Sequence, residues 1–355
     1  MKKQYDIAAY VWPAYTGDDI RARQFWEEGI GEWQTVKNTG PKFPGHSWPR
    51  KPLWGYVNEA DRYVMEMEIA AAADHGVNVF IYDWYWYDRR PFLENCLNDG
   101  FLKAKNRERM KFYLMWANHD ATLMWDIRNS DLDCVVWEGA VDRREFEIVC
   151  RRIIEKYFSQ PNYYKIDGSP VFEIYYLKNL LKGLGGVEGV RDGFDWFRNE
   201  TKKAGHSDLH LQLALQGEKA EIFPLTGIYS ATHYQFSNLL KADGDYAVIR
   251  KDAAKAWKRI GNEYPVPYFP HVSVGWDANP RWKSTPLYPG VISNNTPEEI
   301  EKALRSAKDY ADAHPNQSPL ITINSWNEWT EVSYLEPDDL YGYGYLEAVR
   351  RVFGD

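Results

Sequence analysis

Glu328 and Glu331 lie three residues apart in the stretch Ile321-Thr322-Ile323-Asn324-Ser325-Trp326-Asn327-Glu328-Trp329-Thr330-Glu331. The apolar run before them reads as a strand that gives way to a loop. A turn at that point brings both carboxyl groups to one small site. Glycoside hydrolysis needs such a pair: one acid protonates the leaving oxygen while a carboxylate attacks or activates the nucleophile. Trp326 and Trp329 flank the pair. Indole rings there exclude water, raise the pKa of a neighbouring acid and stack on a sugar, while Asn327 offers hydrogen bonds to hydroxyls. The plainer alternative is that Glu331 caps a turn or pairs with a Lys or Arg.

Other candidates stand at the ends of other apolar runs. Tyr82-Asp83-Trp84-Tyr85-Trp86-Tyr87-Asp88 sets a carboxylate among aromatics. Asp83 is expected to accept hydroxyl hydrogen bonds there, and Tyr85 and Trp86 to hold a sugar ring; packing under loops is the competing reading. Trp116, Asn118 and His119 end a third run. His233 and Tyr234 end a sixth, and His271, Trp276 and Asp277 close a seventh. Tyr10 and Tyr175 mark the ends of the first and fourth. Location is what singles these out. His206 and His210 have the i,i+4 spacing of a zinc helix, but no Glu follows the first, and a strand follows the second. Neither a metal nor a cofactor is expected. No Gly-x-Ser-x-Gly elbow is present.

The elements that must position these residues number eight candidate strands. They are Tyr5–Trp12, Val77–Trp84, Lys111–Ala117, Val171–Tyr175, Leu209–Leu215, Gly227–Tyr234, Tyr268–Val274 and Leu320–Ser325. Helical patterns lie between most of them. Glu59–His75 is closed by Gly76. Arg143–Phe158 carries Phe146, Val149, Cys150, Ile153, Ile154 and Tyr157 on one stripe. Thr296–Ala313 has Thr296 as N-cap, Pro297 at the first helical position and Glu298 and Glu299 on the dipole. Eight strands alternating with helices predict an α/β fold, a single (β/α)₈ TIM barrel. A doubly wound sheet is the runner-up, without a GxGxxG or P-loop to support it. Long insertions follow strand one, Pro13–Asn58, and strand three, Asn118–Ser169. Loops after strands build the active-site face of such a barrel, so these read as lids or walls. One catalytic domain over residues 1–355 is expected.

Composition agrees. The chain has 355 residues, 44% hydrophobic and 26% charged, which excludes a disordered or coiled-coil chain. A net charge of -8 argues against a nucleic-acid partner. The 16 Trp and 25 Tyr supply flat apolar faces with polar edges, the surfaces that sugar rings favour. Cys96, Cys134 and Cys150 are an odd set without CxxC and read as buried thiols in a reducing compartment. The N-terminal stretch, interrupted by Asp6 and Pro13, reads as the first strand and not as a signal peptide, and no run approaches a membrane span. A cytoplasmic protein with an oligosaccharide or polysaccharide substrate is expected.

The closing block is more specific. Ser325–Glu331, then Tyr334-Leu335-Glu336-Pro337-Asp338, then Tyr345-Leu346-Glu347-Ala348 resembles the closing signature of the WbsX-type family. That family is similar to the endo-α-mannosidases of glycoside hydrolase family 99. Phe25-Trp26, Gly29-Ile30-Gly31-Glu32-Trp33, Pro41, Phe43-Pro44-Gly45-His46, Trp116-Ala117-Asn118, Gly275-Trp276-Asp277 and Asn294-Asn295-Thr296 fit the same pattern, so the resemblance covers nearly the whole chain. It implies a (β/α)₈ barrel acting on glycosides, with Glu328 and Glu331 as the catalytic pair. It further implies that Glu328 deprotonates the sugar's own 2-hydroxyl, giving a 1,2-anhydro intermediate, and that Glu331 serves as acid and then base. Two positions depart from the pattern: Val332 stands where the relatives have Gly, and His119 where they often have Glu. Gly permits positive φ more readily than Val, so a changed loop or a narrower pocket is expected. Three functions follow: a glycoside hydrolase with an α-mannoside-like substrate and retention, a glycosyltransferase of polysaccharide synthesis, or a non-catalytic carbohydrate-binding barrel.

Overall fold

The computed structural model describes residues 4–283 and 285–354. Lys2 and Lys3 of the leading stretch lie outside them. The eight barrel strands are β1 (Asp6–Val11), β2 (Val79–Tyr87), β3 (Lys111–Trp116), β4 (Ser169–Ile174), β5 (His210–Ala214), β6 (Ser230–Thr232), β7 (His271–Ser273) and β8 (Leu320–Asn324). Their order in the sheet is β6-β5-β4-β3-β2-β1-β8-β7, and the pairings along it are parallel. Ala8 pairs with Val79 on one side and with Thr322 on the other, which seats β1 between β2 and β8. Across the remaining seam, Phe269 N donates to Ala231 O at 2.8 Å and Ala231 N to Pro267 O at 2.9 Å. The result is a nearly closed (β/α)₈ barrel, as the strand count predicts.

Among the described residues ten α-helices flank or cap it: α1 (Trp33–Asn38), α2 (Arg62–Asp74), α3 (Arg143–Ile153), α4 (Leu177–Leu184), α5 (Val187–Lys203), α6 (Ile222–Thr226), α7 (Phe236–Leu239), α8 (Tyr246–Glu263), α9 (Pro297–Ala313) and α10 (Gly344–Phe353). Thr296 caps α9 by accepting from Glu299 N, and Asp142 caps α3 by accepting from Glu145 N. The apolar stripe of α3 is buried as its spacing predicts, but a single π turn, Ile154–Phe158, ends it. α2 starts at Arg62 because Asp61 caps it, so Glu59 lies before the helix, fully buried. β6 is shorter than its apolar run because Gly227, at φ 73°, is the left-handed cap of α6. β2 starts two residues later and ends three residues later than expected, and turns back into a hairpin with Arg90–Phe92. The first and last described segments meet, with the Tyr5 and Phe353 rings 5.4 Å apart. Cys96 and Cys150 are buried, whereas Cys134 is exposed on the β3–α3 insertion and so departs from the buried reading.

Polar groups lie among the apolar side chains of the barrel interior. Thr232 and Thr322 share a hydrogen bond of 2.8 Å, and His271 contacts Thr322 and Ser273, each at 3.0 Å. Tyr10 donates to Glu173 at 2.8 Å, and burial pushes the Glu173 carboxyl up to about 8. These groups form the floor beneath the mouth.

Candidate active site

A cavity of about 630 Å³ opens at the C-terminal end of the strands. Strand pleating decides which side chains reach it, since alternate residues face opposite ways. On β2, Asp83 and Tyr85 turn to the cavity. Trp84 and Trp86 turn out, where Trp84 Nε1 donates to Glu94 and Trp86 Nε1 to Glu145 of α3, both at 2.8 Å. On β3, Met115 and Ala117 face in, and Trp116 packs outward on Phe146 with ring centroids 6.2 Å apart. After β6, Tyr234 faces in, while His233 Nδ1 meets the Tyr268 hydroxyl at 2.9 Å.

Of the residues singled out in the sequence, Asp83, Tyr85, His119, Tyr175, Tyr234, Trp276, Glu328 and Glu331 line this cavity. Ten do not. Trp86 and Trp116 lie under helices, as just described. Tyr10, His233 and His271 are buried in the barrel, where desolvation lowers both imidazoles, His233 to about 3. Asn118 clamps Tyr176: its Nδ2 donates to Tyr176 O and its Oδ1 accepts from Tyr176 N, both at 2.8 Å. Asp277 binds His46 Nε2 at 2.7 Å and accepts from Asn279 N, tying the β7 loop to the long β1 loop. Trp326, Asn327 and Trp329 point away from the cavity.

Those last three have a shared task. Trp326 Nε1 donates to Glu68 at 3.1 Å, Asn327 Nδ2 to Glu59 at 2.9 Å, and Trp329 Nε1 to Glu336 at 2.5 Å. The three carboxyl groups bring oxygens within 4.8 Å of one another, the one such group of metal-type ligands among the described residues. The two tryptophans and the asparagine around Glu328 therefore each grip one member of a buried acid cluster behind the loop. Asn327 also holds β1, with Trp12 N donating to its Oδ1 at 2.8 Å. Burial, then mutual repulsion, raises the Glu59 carboxyl, and burial raises Glu336 to about 8. The folded protein thus keeps a proton that the unfolded chain loses near 4.3. Stability is therefore expected to fall as pH rises from about 4.3 toward about 8, by linkage. Calorimetric melting temperatures across that window check this, and Glu336→Gln is expected to flatten the slope.

Glu328 stands at the start of a short turn, Trp329–Glu331, and Glu331 ends it, a few residues after β8. Val332 ends that turn at φ 51°, in the left-handed region that a β-branched residue rarely adopts. Gly275 fits against it so closely that a Cβ there would lie 2.1 Å from Val332 O. Tyr234 Oη lies 2.7 Å from Glu328 Oε1 and 2.8 Å from Asp83 Oδ2. Burial, then Glu331, raises the Glu328 carboxyl well above its ordinary value, and Arg281 opposes that rise. Glu331 accepts from Gln235 Nε2 at 2.8 Å and is ion-paired with Arg281. Gln235 is itself fixed by Ser273 Oγ, which donates to its Oε1 at 3.0 Å.

An aromatic wall faces the carboxylates. Tyr85 packs edge to face on both Trp12 and Trp125, and the two indoles are tilted against each other, with centroids 5.4 to 5.7 Å apart. His119 joins them beside Tyr175, at 5.5 Å, and burial lowers its imidazole so that it stays neutral near pH 7. Trp12, Trp125, Gln235 and Arg281 escaped the sequence reading. Trp12 was within reach, since it is one pleat beyond Tyr10 and therefore nearer the mouth. Arg281 and Trp125 lie deep in insertions, where no periodicity marks direction.

Relatives of known structure share this architecture. A glycoside hydrolase-like protein superposes with a TM-score of 0.65 at 15% identity, covering 100% of this chain and 95% of that one. The endo-α-mannosidase of glycoside hydrolase family 99 from Bacteroides thetaiotaomicron superposes with a TM-score of 0.57 at 14% identity, covering 98% and 96%. At such identities the likeness establishes the fold. The uncharacterized protein WxcX of Xanthomonas campestris pv. campestris is 26% identical over 341 residues, 92% of this chain and 46% of that protein. The chain thus spans about half the length of the curated relatives it matches. The model of the family described as glycosyltransferase WbsX matches residues 7–349, and the chain belongs to that family.

Proposed function

We propose that this protein is a glycoside hydrolase that cleaves an α-mannoside-like bond in an oligosaccharide or polysaccharide with retention. The observation that carries this is the Glu328–Glu331 pair set in an aromatic-walled cavity at the C-terminal mouth of a (β/α)₈ barrel. Glu328 takes the proton of the sugar's 2-hydroxyl, and the anhydro-sugar that follows is opened by water. Glu331 gives its proton to the leaving oxygen and then recovers one from that water. Gln235 orients Glu331. The Arg281 ion pair must open before Glu331 delivers a proton, so substrate entry and loop movement are coupled in this scheme. Trp12, Tyr85 and Trp125 offer stacking faces, while Asp83, His119 and Tyr175 offer hydroxyl contacts. Among the described residues no helix is long and apolar enough to cross a membrane.

The family description favours a second reading, transfer of a sugar from a nucleotide donor. The cavity instead gathers Asp83, Asp120, Asp243, Glu328 and Glu331 against Lys241 and Arg281, an excess of acid that suits a pyrophosphate poorly, and no GxGxxG or GxxxxGK motif follows β1. Incubation with a glycan panel, with and without nucleotide sugars, tests the proposal. New reducing ends without any nucleotide sugar are expected. Product that forms only with a nucleotide sugar would reverse the assignment.

A further inference from the structure

Tyr234 carries one hydroxyl hydrogen. Its oxygen nevertheless lies within hydrogen-bond distance of two carboxyl groups, Asp83 Oδ2 at 2.8 Å and Glu328 Oε1 at 2.7 Å. A phenol donates to one acceptor of such a pair. The second contact is a hydrogen bond only when that carboxyl is itself protonated and donates to the phenol oxygen. With both ionised, one anion would face a lone pair at that distance. The remaining oxygens, Asp83 Oδ1 and Glu328 Oε2, are buried without a protein partner. A buried anion with a bare oxygen costs far more than a neutral acid with a bare carbonyl. One extra proton therefore belongs to the three groups.

The surroundings decide which group holds it. Asp83 faces Glu173 of β4 and Glu331, together with the phenols of Tyr10, Tyr85 and Tyr175. Glu328 faces Glu331, Glu32 and Asp83, but also the Arg281 guanidinium. Arg281 is the cation that bears on this cluster among the described residues, and it bears on Glu328. The negative charge is therefore better placed on Glu328.

We infer that Asp83 is a positioning residue that holds a proton: its carboxyl donates to Tyr234 Oη, the phenol hydrogen turns to Glu328, and Glu328 is left as the ionised base. A role for this chain in turnover rests on the hydrolase reading above. The protonation of Asp83 does not.

Infrared difference spectroscopy of wild type against Asp83→Asn at neutral pH tests the proton directly. A protonated-carboxyl carbonyl stretch present in wild type and missing from the variant is expected. In Tyr234→Phe the same band is expected to shift, because its acceptor has gone. That second variant keeps the test decisive should Asp83→Asn fail to fold. Absence of a band assignable to Asp83 overturns the inference. In kinetics, Asp83→Ala is expected to lower kcat/KM by about tenfold or more, the worth of a hydrogen bond aimed at a charged group. Asp83→Asn, whose amide donates to the same phenol, is expected to recover most of that loss. Asn as damaging as Ala would show that a carboxylate is needed there, and the inference would fall. A protein that cleaves no glycan would remove the hydrolase reading, while the infrared result would still judge Asp83.

Discussion

Glu328→Gln is expected to lower kcat by roughly 10²–10⁴-fold, the usual worth of one acid–base group, on any substrate the protein cleaves. The loss should be alike for a natural glycan and for an aryl glycoside with a good leaving group. Both need the 2-hydroxyl proton removed before the anomeric carbon is attacked. Glutamine keeps the size of the side chain and can still contact Tyr234, so folding should survive and thermal unfolding should change little. Steady-state kinetics on both substrates check the claim. A variant whose defect vanished on the aryl glycoside would assign Glu328 to leaving-group protonation instead.

Glu331→Gln should behave differently. A poor leaving group needs a proton, so turnover of a natural glycan should fall by roughly 10²–10⁴-fold. An aryl glycoside departs unprotonated, and its first step should suffer much less. The substitution also unpairs Arg281, which is buried against Glu331. Removing one partner of a buried ion pair typically costs about 3–5 kcal/mol, so the variant should melt earlier than wild type even as aryl-glycoside activity persists. The contrast between the two variants separates their roles more sharply than either loss alone. Equal losses on both substrates for both variants would mean that the roles are not divided as proposed.

Much of this arrangement was legible in the chain. The eight apolar runs mark the eight strands because a buried parallel strand needs apolar residues on both faces. Pro297 and Thr296 mark the start of α9 because cap chemistry is local. The carboxylate pair was legible for the same reason, since both residues follow one strand within a turn. Direction was harder. Trp86 and Trp116 looked like sugar platforms, yet each stands one pleat out of phase with a residue that faces the cavity. Trp326, Asn327 and Trp329 looked like substrate contacts because they sit beside Glu328. Instead they bind Glu68, Glu59 and Glu336, three acids from distant parts of the chain. Sequence spacing does not show such partners, because the fold alone brings α2, the β1 insertion and the C-terminal segment together. Arg281 was missed for a similar reason: its partner Glu331 is 50 residues away.

The central claim is that water accepts the sugar at the Glu328–Glu331 pair and that a glycan, not a nucleotide sugar, donates it. Oxygen-isotope labelling tests it most directly. A glycan that the protein cleaves is incubated in heavy-oxygen water without nucleotide sugar, and the new reducing end is analysed by mass spectrometry and NMR. The account predicts one heavy oxygen at the anomeric carbon of the released sugar, a first-formed anomer that matches the cleaved bond, and loss of the signal in Glu328→Gln. No label at that carbon, or sugar transfer that proceeds only when a nucleotide sugar is supplied, would contradict it.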